Sequence, residues 1–114
     1  MFRIKRIYET RDPSDGYRVL VDRIWPRGVS KDAAAIDLWL KEAGPSTDLR
    51  KWFGHDPAKW EAFKTRYAEE IEPSDAFGEL QRLGQAHGVV TLLYSARDEQ
   101  HNQAAALLEF LASQ

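Results

Sequence analysis

The chain has 114 residues, 43% of them hydrophobic and 30% charged, with sixteen Lys and Arg against eighteen Asp and Glu and no cysteine. That length holds one domain burying roughly 65% of its unfolded surface, so any site has to be a surface cleft, not an enclosed chamber. The net charge of -2 disfavours a polyanion or anionic-membrane binder driven by bulk charge, and the missing cysteines exclude disulfides, zinc–thiolate and iron–sulfur sites, and thiol nucleophiles.

Phe2 and Ile4 alternate with Arg3 and Lys5, which predicts a strand over the first eight residues, before the turn cluster Asp12-Pro13-Ser14-Asp15-Gly16. Tyr17–Ile24 is apolar and β-branched through its centre, the pattern of a strand covered on both faces, and Trp25-Pro26-Arg27-Gly28 ends it. Ser30 caps a short helix over Lys31–Ala35. Residues 36–43 fit two readings: a strand with Ile36, Leu38 and Leu40 on one face, slightly favoured, or a helix running to Gly44-Pro45. Ser46 caps a short helix over Asp48–Phe53, which Gly54 ends. Asp56 and Pro57 open the clearest helix, with Trp60, Phe63, Tyr67 and Ile71 at spacings of three and four until Pro73. Ser74 caps the next helix, whose stripe is Phe77, Leu80 and Leu83 and which closes at His87-Gly88. Val89–Tyr94 reads as the most deeply buried strand. A terminal helix follows from about Glu99 to Ser113, with Ala104, Leu107, Leu108 and Leu111 inward.

These elements specify a single compact α/β domain over 1–114, with a small mixed or parallel sheet flanked by helices. The helical middle is the crossover that returns Val89–Tyr94 beside Tyr17–Ile24. No run approaches the ~20 apolar residues of a membrane span, and Met1–Arg6 places charges where a signal peptide needs its apolar run. A cytoplasmic protein without membrane association is expected.

If those two strands are parallel neighbours, the loops after them emerge at the edge where open α/β sheets hold ligands. One loop carries Asp22, Arg23, Trp25 and Arg27; the other carries Ser95, Arg97, Asp98, His101 and Asn102. Arg23, Arg27 and Arg97 would bind a phosphate or carboxylate, helped by the start of the terminal helix at Ser95–Asn102. His101 would act as acid or base, and Asp22 would orient a basic partner. Trp25 or Trp52 would wall the cleft, and Arg50–Pro57 is a second candidate cluster, in which the aromatics Trp52 and Phe53 with His55 and Asp56 at the Gly54 helix break would form a cleft wall. Structural roles compete with each of these: Ser95 or Asp98 as a helix cap, Asp22 or Asp98 as an arginine's ion-pair partner, Asp56 as an N-cap, the tryptophans as packing. Metal-ligand spacings, phosphate loops and nucleophile elbows are absent, and the residues leave any cofactor and the oligomeric state unspecified. A non-catalytic protein or nucleic-acid interaction module is the competing reading, nucleic acid being disfavoured by net charge. Charge is nonetheless uneven: residues 1–31 carry eight Lys and Arg against four Asp and Glu, and residues 32–114 carry eight against fourteen.

The segments Asp22–Val29, Leu49–Pro57 and Thr91–Ala104, in this order, resemble the YeaO-like proteins of the domain of unknown function 488 family. The resemblance covers nearly the whole chain. It implies a small bacterial cytoplasmic α/β protein without an established activity, so no catalytic role is carried across to any residue.

Overall fold

The computed structural model describes residues 1–114, and in it the two most apolar runs lie side by side. β1 (Phe2–Arg6) is the first strand and β2 (Tyr17–Leu20) the second. After α1 (Lys31–Ala34) comes the two-residue β3 (Leu38–Trp39), then α2 (Thr47–Phe53), α3 (Trp60–Ile71) and α4 (Asp75–Ala86). β4 (Val90–Tyr94) and α5 (Gln103–Ala112) complete the chain. β4 pairs in parallel with β2, Tyr17 opposite Val90 and Leu20 opposite Leu93. β1 flanks β4 and β3 flanks β2, also in parallel, in the order β1-β4-β2-β3. The sheet is therefore wholly parallel, with α1 to α4 in the crossover that returns the chain to its centre.

Alternation along the central strands explains why they are apolar throughout. Val19, Val21, Leu92 and Tyr94 join the larger core with α2, α3, α4 and α5. Leu20 and Leu93 face the other way, into a smaller core closed by Ile7, Ala34, Trp25 and Trp39. A buried charge network ties this second face together. Arg18, 2% exposed, donates to the carbonyls of Ala34 and Ala35 at 2.8 and 3.0 Å and to Asp15 at 2.5 Å, while Lys5 reaches Asp15 at 3.0 Å.

Ser30, Ser46 and Ser74 cap their helices, and Asp56 caps a 3₁₀ turn over Pro57–Lys59 that leads into α3. Other expectations need correction. β2 stops at Leu20, not Ile24: Val21 still donates to Leu93 at 3.1 Å, but Asp22 and Arg23 leave the sheet. Residues 36–43 divide between the two readings, a strand at Leu38–Trp39 and a 3₁₀ turn at Lys41–Ala43. α5 starts at Gln103, not near Glu99. The Asp98 carboxylate accepts from the amides of Gln100 and His101 at 2.9 and 3.0 Å, a local turn that competes with the helix, and Asn102 becomes the N-cap by accepting from Ala105 at 2.9 Å. The inward residues of α5 are Ala104, Ala106, Leu107 and Phe110, whereas Leu108 and Leu111 are only partly buried. No helix is long and apolar enough to cross a membrane.

Candidate functional site

Because β2 and β4 are adjacent and parallel, the loops after them open on one edge of the sheet, and between them lies a cleft of about 590 Å³. Asp22, Arg23 and Ile24 form one side, and Ser95, Ala96, Arg97 and Asp98 another. The third side is α2 and its C-terminal break, which contribute Arg50, Phe53 and His55. Phe53 lies against Phe63 of α3 with ring centres 4.3 Å apart, so the cleft has an apolar aromatic wall beneath charged rims.

Each rim is held by contacts behind it. The Trp39 indole N–H donates to the Asp22 carbonyl at 2.7 Å, which fixes the chain where β2 ends. Arg23 donates through Nε to the Pro45 carbonyl at 2.7 Å, and its outer guanidinium nitrogens make no hydrogen bond within the chain. This contact needs the backbone of 43–45 close to β2. Gly44 permits it: a Cβ there would sit 2.9 Å from Arg23 Cγ and 3.1 Å from Arg23 N. From the other side α3 clamps the same segment, the Tyr67 hydroxyl donating to the Ala43 carbonyl and Glu70 accepting from the Ser46 amide at 3.0 Å. Arg6, at the end of β1, donates to the carbonyls of Ser95 and Ala96 at 3.2 and 2.9 Å and so pins the turn after β4. Gly54 ends α2 in the left-handed region, and His55 follows at φ 57°, an uncommon conformation for a residue with a side chain.

The electrostatics are asymmetric. Arg23, Arg50 and Arg97 form no ion pair, and Asp98, the rim's second carboxylate, is taken up by His101 Nδ1 at 2.8 Å. The amide of Gln100 and the imidazole of His101 hold the Asp98 carboxyl below its ordinary range. At the foot of the cleft Asp22 is 7% exposed. Its Oδ1 accepts from the Gln103 side-chain amide, and its Oδ2 is buried with no hydrogen-bond partner. Burial pushes the Asp22 carboxyl above the usual range, against the smaller opposing pull of the neighbouring Ser95 and Gln103 groups.

Of the residues singled out from sequence, Asp22, Arg23, Arg50, Phe53, His55, Ser95, Arg97 and Asp98 line the cleft. The others do not. Arg27 is exposed beyond it, its carbonyl accepting from the Tyr8 hydroxyl at 2.9 Å. Trp25 packs edge-on to Trp39 at 5.3 Å and donates to the Val29 carbonyl, so it closes the smaller core. Trp52 lies beneath the Arg66 guanidinium at 4.0 Å, facing α3. His101 sits behind Asp98 with its ring edge-on to Trp60 at 5.3 Å, and Asn102 is spent on capping α5. Asp22 makes no ion pair within the chain; its side-chain hydrogen bond is to the neutral Gln103. Phe63 and Gln103 are cleft residues that the sequence reading left unassigned; Arg50 and Phe53 come from the second candidate cluster, Phe53 as an expected wall residue and Arg50 without a role of its own. For Arg50 a signal existed. It lies four residues before Gly54, one helical turn from the break that also delivers His55. No three His, Asp or Glu side chains come together as a metal ion would require.

A parallel α/β domain with an arginine-rimmed cleft at the carboxyl edge of its sheet is the class of protein that this fold and site define. The chain belongs to the inactive DUF488-N3 subclade, whose family model it matches over residues 1–114. It is similar to the uncharacterized protein YeaO of Escherichia coli (strain K12), 40% identical over 109 residues that span 96% of this chain and 95% of that protein. It is also similar to the uncharacterized protein Rv3073c of Mycobacterium tuberculosis (strain ATCC 25618 / H37Rv), 43% identical over 109 residues, 96% of this chain and 92% of the other. No solved structure matches the chain.

Proposed function

We propose that this domain binds a small anionic ligand, one bearing a phosphate or a carboxylate, in the cleft between the ends of β2 and β4, and that it holds this ligand without transforming it. The observation that carries the reading is that Arg23, Arg50 and Arg97 border one concave site and none is neutralised by a carboxylate. Guanidinium groups present paired N–H donors that match the oxygens of both groups. Binding without turnover is supported by the family description as inactive and by the position of His101, which is tied to Asp98 behind the cleft wall. The reading is tested by a thermal-shift and calorimetric screen of nucleotides, sugar phosphates and di- and tricarboxylates against the wild type, Arg50→Ala and Arg97→Ala. A ligand that binds the wild type and loses about tenfold in affinity, or about 1.4 kcal/mol, with each variant supports it. If no ligand binds, or if binding ignores both arginines, the proposal fails. Turnover of a bound ligand would overturn its non-catalytic half.

A further inference from the structure

Resting on that reading, we infer that the ligand is grasped at two points: its anionic group by the arginine rim, and a hydroxyl or amino group of the same molecule by Asp22. An unsatisfied atom marks the second point. Asp22 Oδ2 is buried, has no partner in the protein and belongs to a residue on the cleft wall. Buried polar groups are almost always hydrogen-bonded, so an orphaned acceptor at a cleft is a place for a donor from outside. The protein could have covered it. Gln103 at the start of α5 already serves Oδ1, while Ser95, the polar neighbour of the carboxyl, makes no hydrogen bond to Oδ2.

A bare inorganic anion fits this arrangement poorly. Sulfate satisfies the arginines but offers Asp22 only further acceptors, and the P–OH donors of inorganic phosphate come with a charge that the Asp22 carboxylate repels. The cleft of about 590 Å³ is also of metabolite size, with Phe53 and Phe63 available to a carbon skeleton between the two polar ends. The class defined by these constraints is a hydroxylated or aminated organic phosphate or carboxylate.

Matched pairs test it by calorimetry at pH 7: ribose 5-phosphate against tetrahydrofurfuryl phosphate, phosphoethanolamine against ethyl phosphate, and malate against succinate. Within each pair the anion is kept and the donor removed. The expected result is that in at least one pair the donor-bearing member binds about tenfold or more tightly, because a site built around a hydrogen bond rejects the analogue that cannot make it. Asp22→Asn should reduce that preference to about threefold or less. Equal binding within every pair, with Arg50→Ala and Arg97→Ala still weakening both members, overturns the two-point inference and leaves the anion site standing. Absence of binding by all six probes overturns both. A donor preference that survives intact in a folded Asp22→Asn overturns the role given to Asp22, and the wild-type comparison stands even if that variant does not fold.

Discussion

Two buried aspartates pull the stability of this protein in opposite directions with pH. Asp22 has its carboxyl raised by burial, so the folded protein retains a proton that the unfolded chain has already lost. Raising pH from the ordinary carboxylate range, about 3.9, towards neutrality therefore removes stability through this residue. Asp22→Asn is expected to stabilise the protein at pH 7 by on the order of 1 kcal/mol, the cost of an unpaired buried charge relieved, with the gain shrinking near pH 4. Urea denaturation at the two pH values measures it; a variant less stable than wild type at pH 7 would mean that Oδ2 is satisfied. Asp15 behaves in the opposite sense. Burial would raise its carboxyl, but the Asp12 amide, Lys5 and Arg18 outweigh burial and hold it below the usual range. Its stabilisation is full above the ordinary carboxylate range and is lost as pH falls through the depressed value. Asp15→Asn leaves Arg18 buried without its counter-charge and should cost about 3–5 kcal/mol at pH 7, read from the same denaturation experiment.

At the scale of elements, the start of α5 decides what the cleft contains. Asn102 accepts from the Ala105 amide and donates to the Asp98 carbonyl at 2.9 Å, so it caps the helix and also closes the loop that carries Arg97. Asn102→Ala should lose about 1–2 kcal/mol of stability, whereas Ser95→Ala, seven residues upstream of the cap, should lose none through the helix. A thermal-melt comparison separates the two, and equal losses would return the helix start to Ser95. The same element marks the limit of what the sequence made legible. Long periodic segments such as Trp60–Ile71 and Asp75–Ala86, and the parallel neighbours β2 and β4, follow from spacing and caps alone. The helix start at Gln103 does not, because Asp98 and Asn102 are both good caps and only the Asp98 turn, satisfied by Gln100 and His101, excludes the earlier one. That the Arg50–Pro57 cluster shares one cleft with the two strand-end loops was likewise hidden, since this depends on α2 packing beside the sheet edge, which local chemistry cannot announce.

For the whole molecule, the charge arithmetic now has a location. Arg23 comes from the basic N-terminal stretch, but Arg50 and Arg97 come from residues 32–114, where acidic residues are in excess. The positive charge of the cleft is therefore brought together by folding, through the convergence of two loops and the end of α2, on a chain of net charge -2. Its field has a short reach. At physiological ionic strength the screening length is about 8 Å, so a ligand inside the cleft feels the arginines far more than a polyanion passing outside it. Two consequences distinguish a cleft binder from a nucleic-acid module. Raising NaCl from about 0.05 to 0.5 M should weaken a phosphate ligand several-fold without lowering the melting temperature appreciably, because Arg50 and Arg97 are exposed and screened whereas the Asp15–Arg18 pair is not. At about 0.15 M NaCl a random-sequence DNA duplex should show no saturable binding in fluorescence anisotropy, since a chain of net charge -2 whose cleft gathers three arginines gains little from counterion release. Saturable, steeply salt-dependent binding of the duplex, undiminished by a saturating cleft ligand, would place the working surface elsewhere on the molecule.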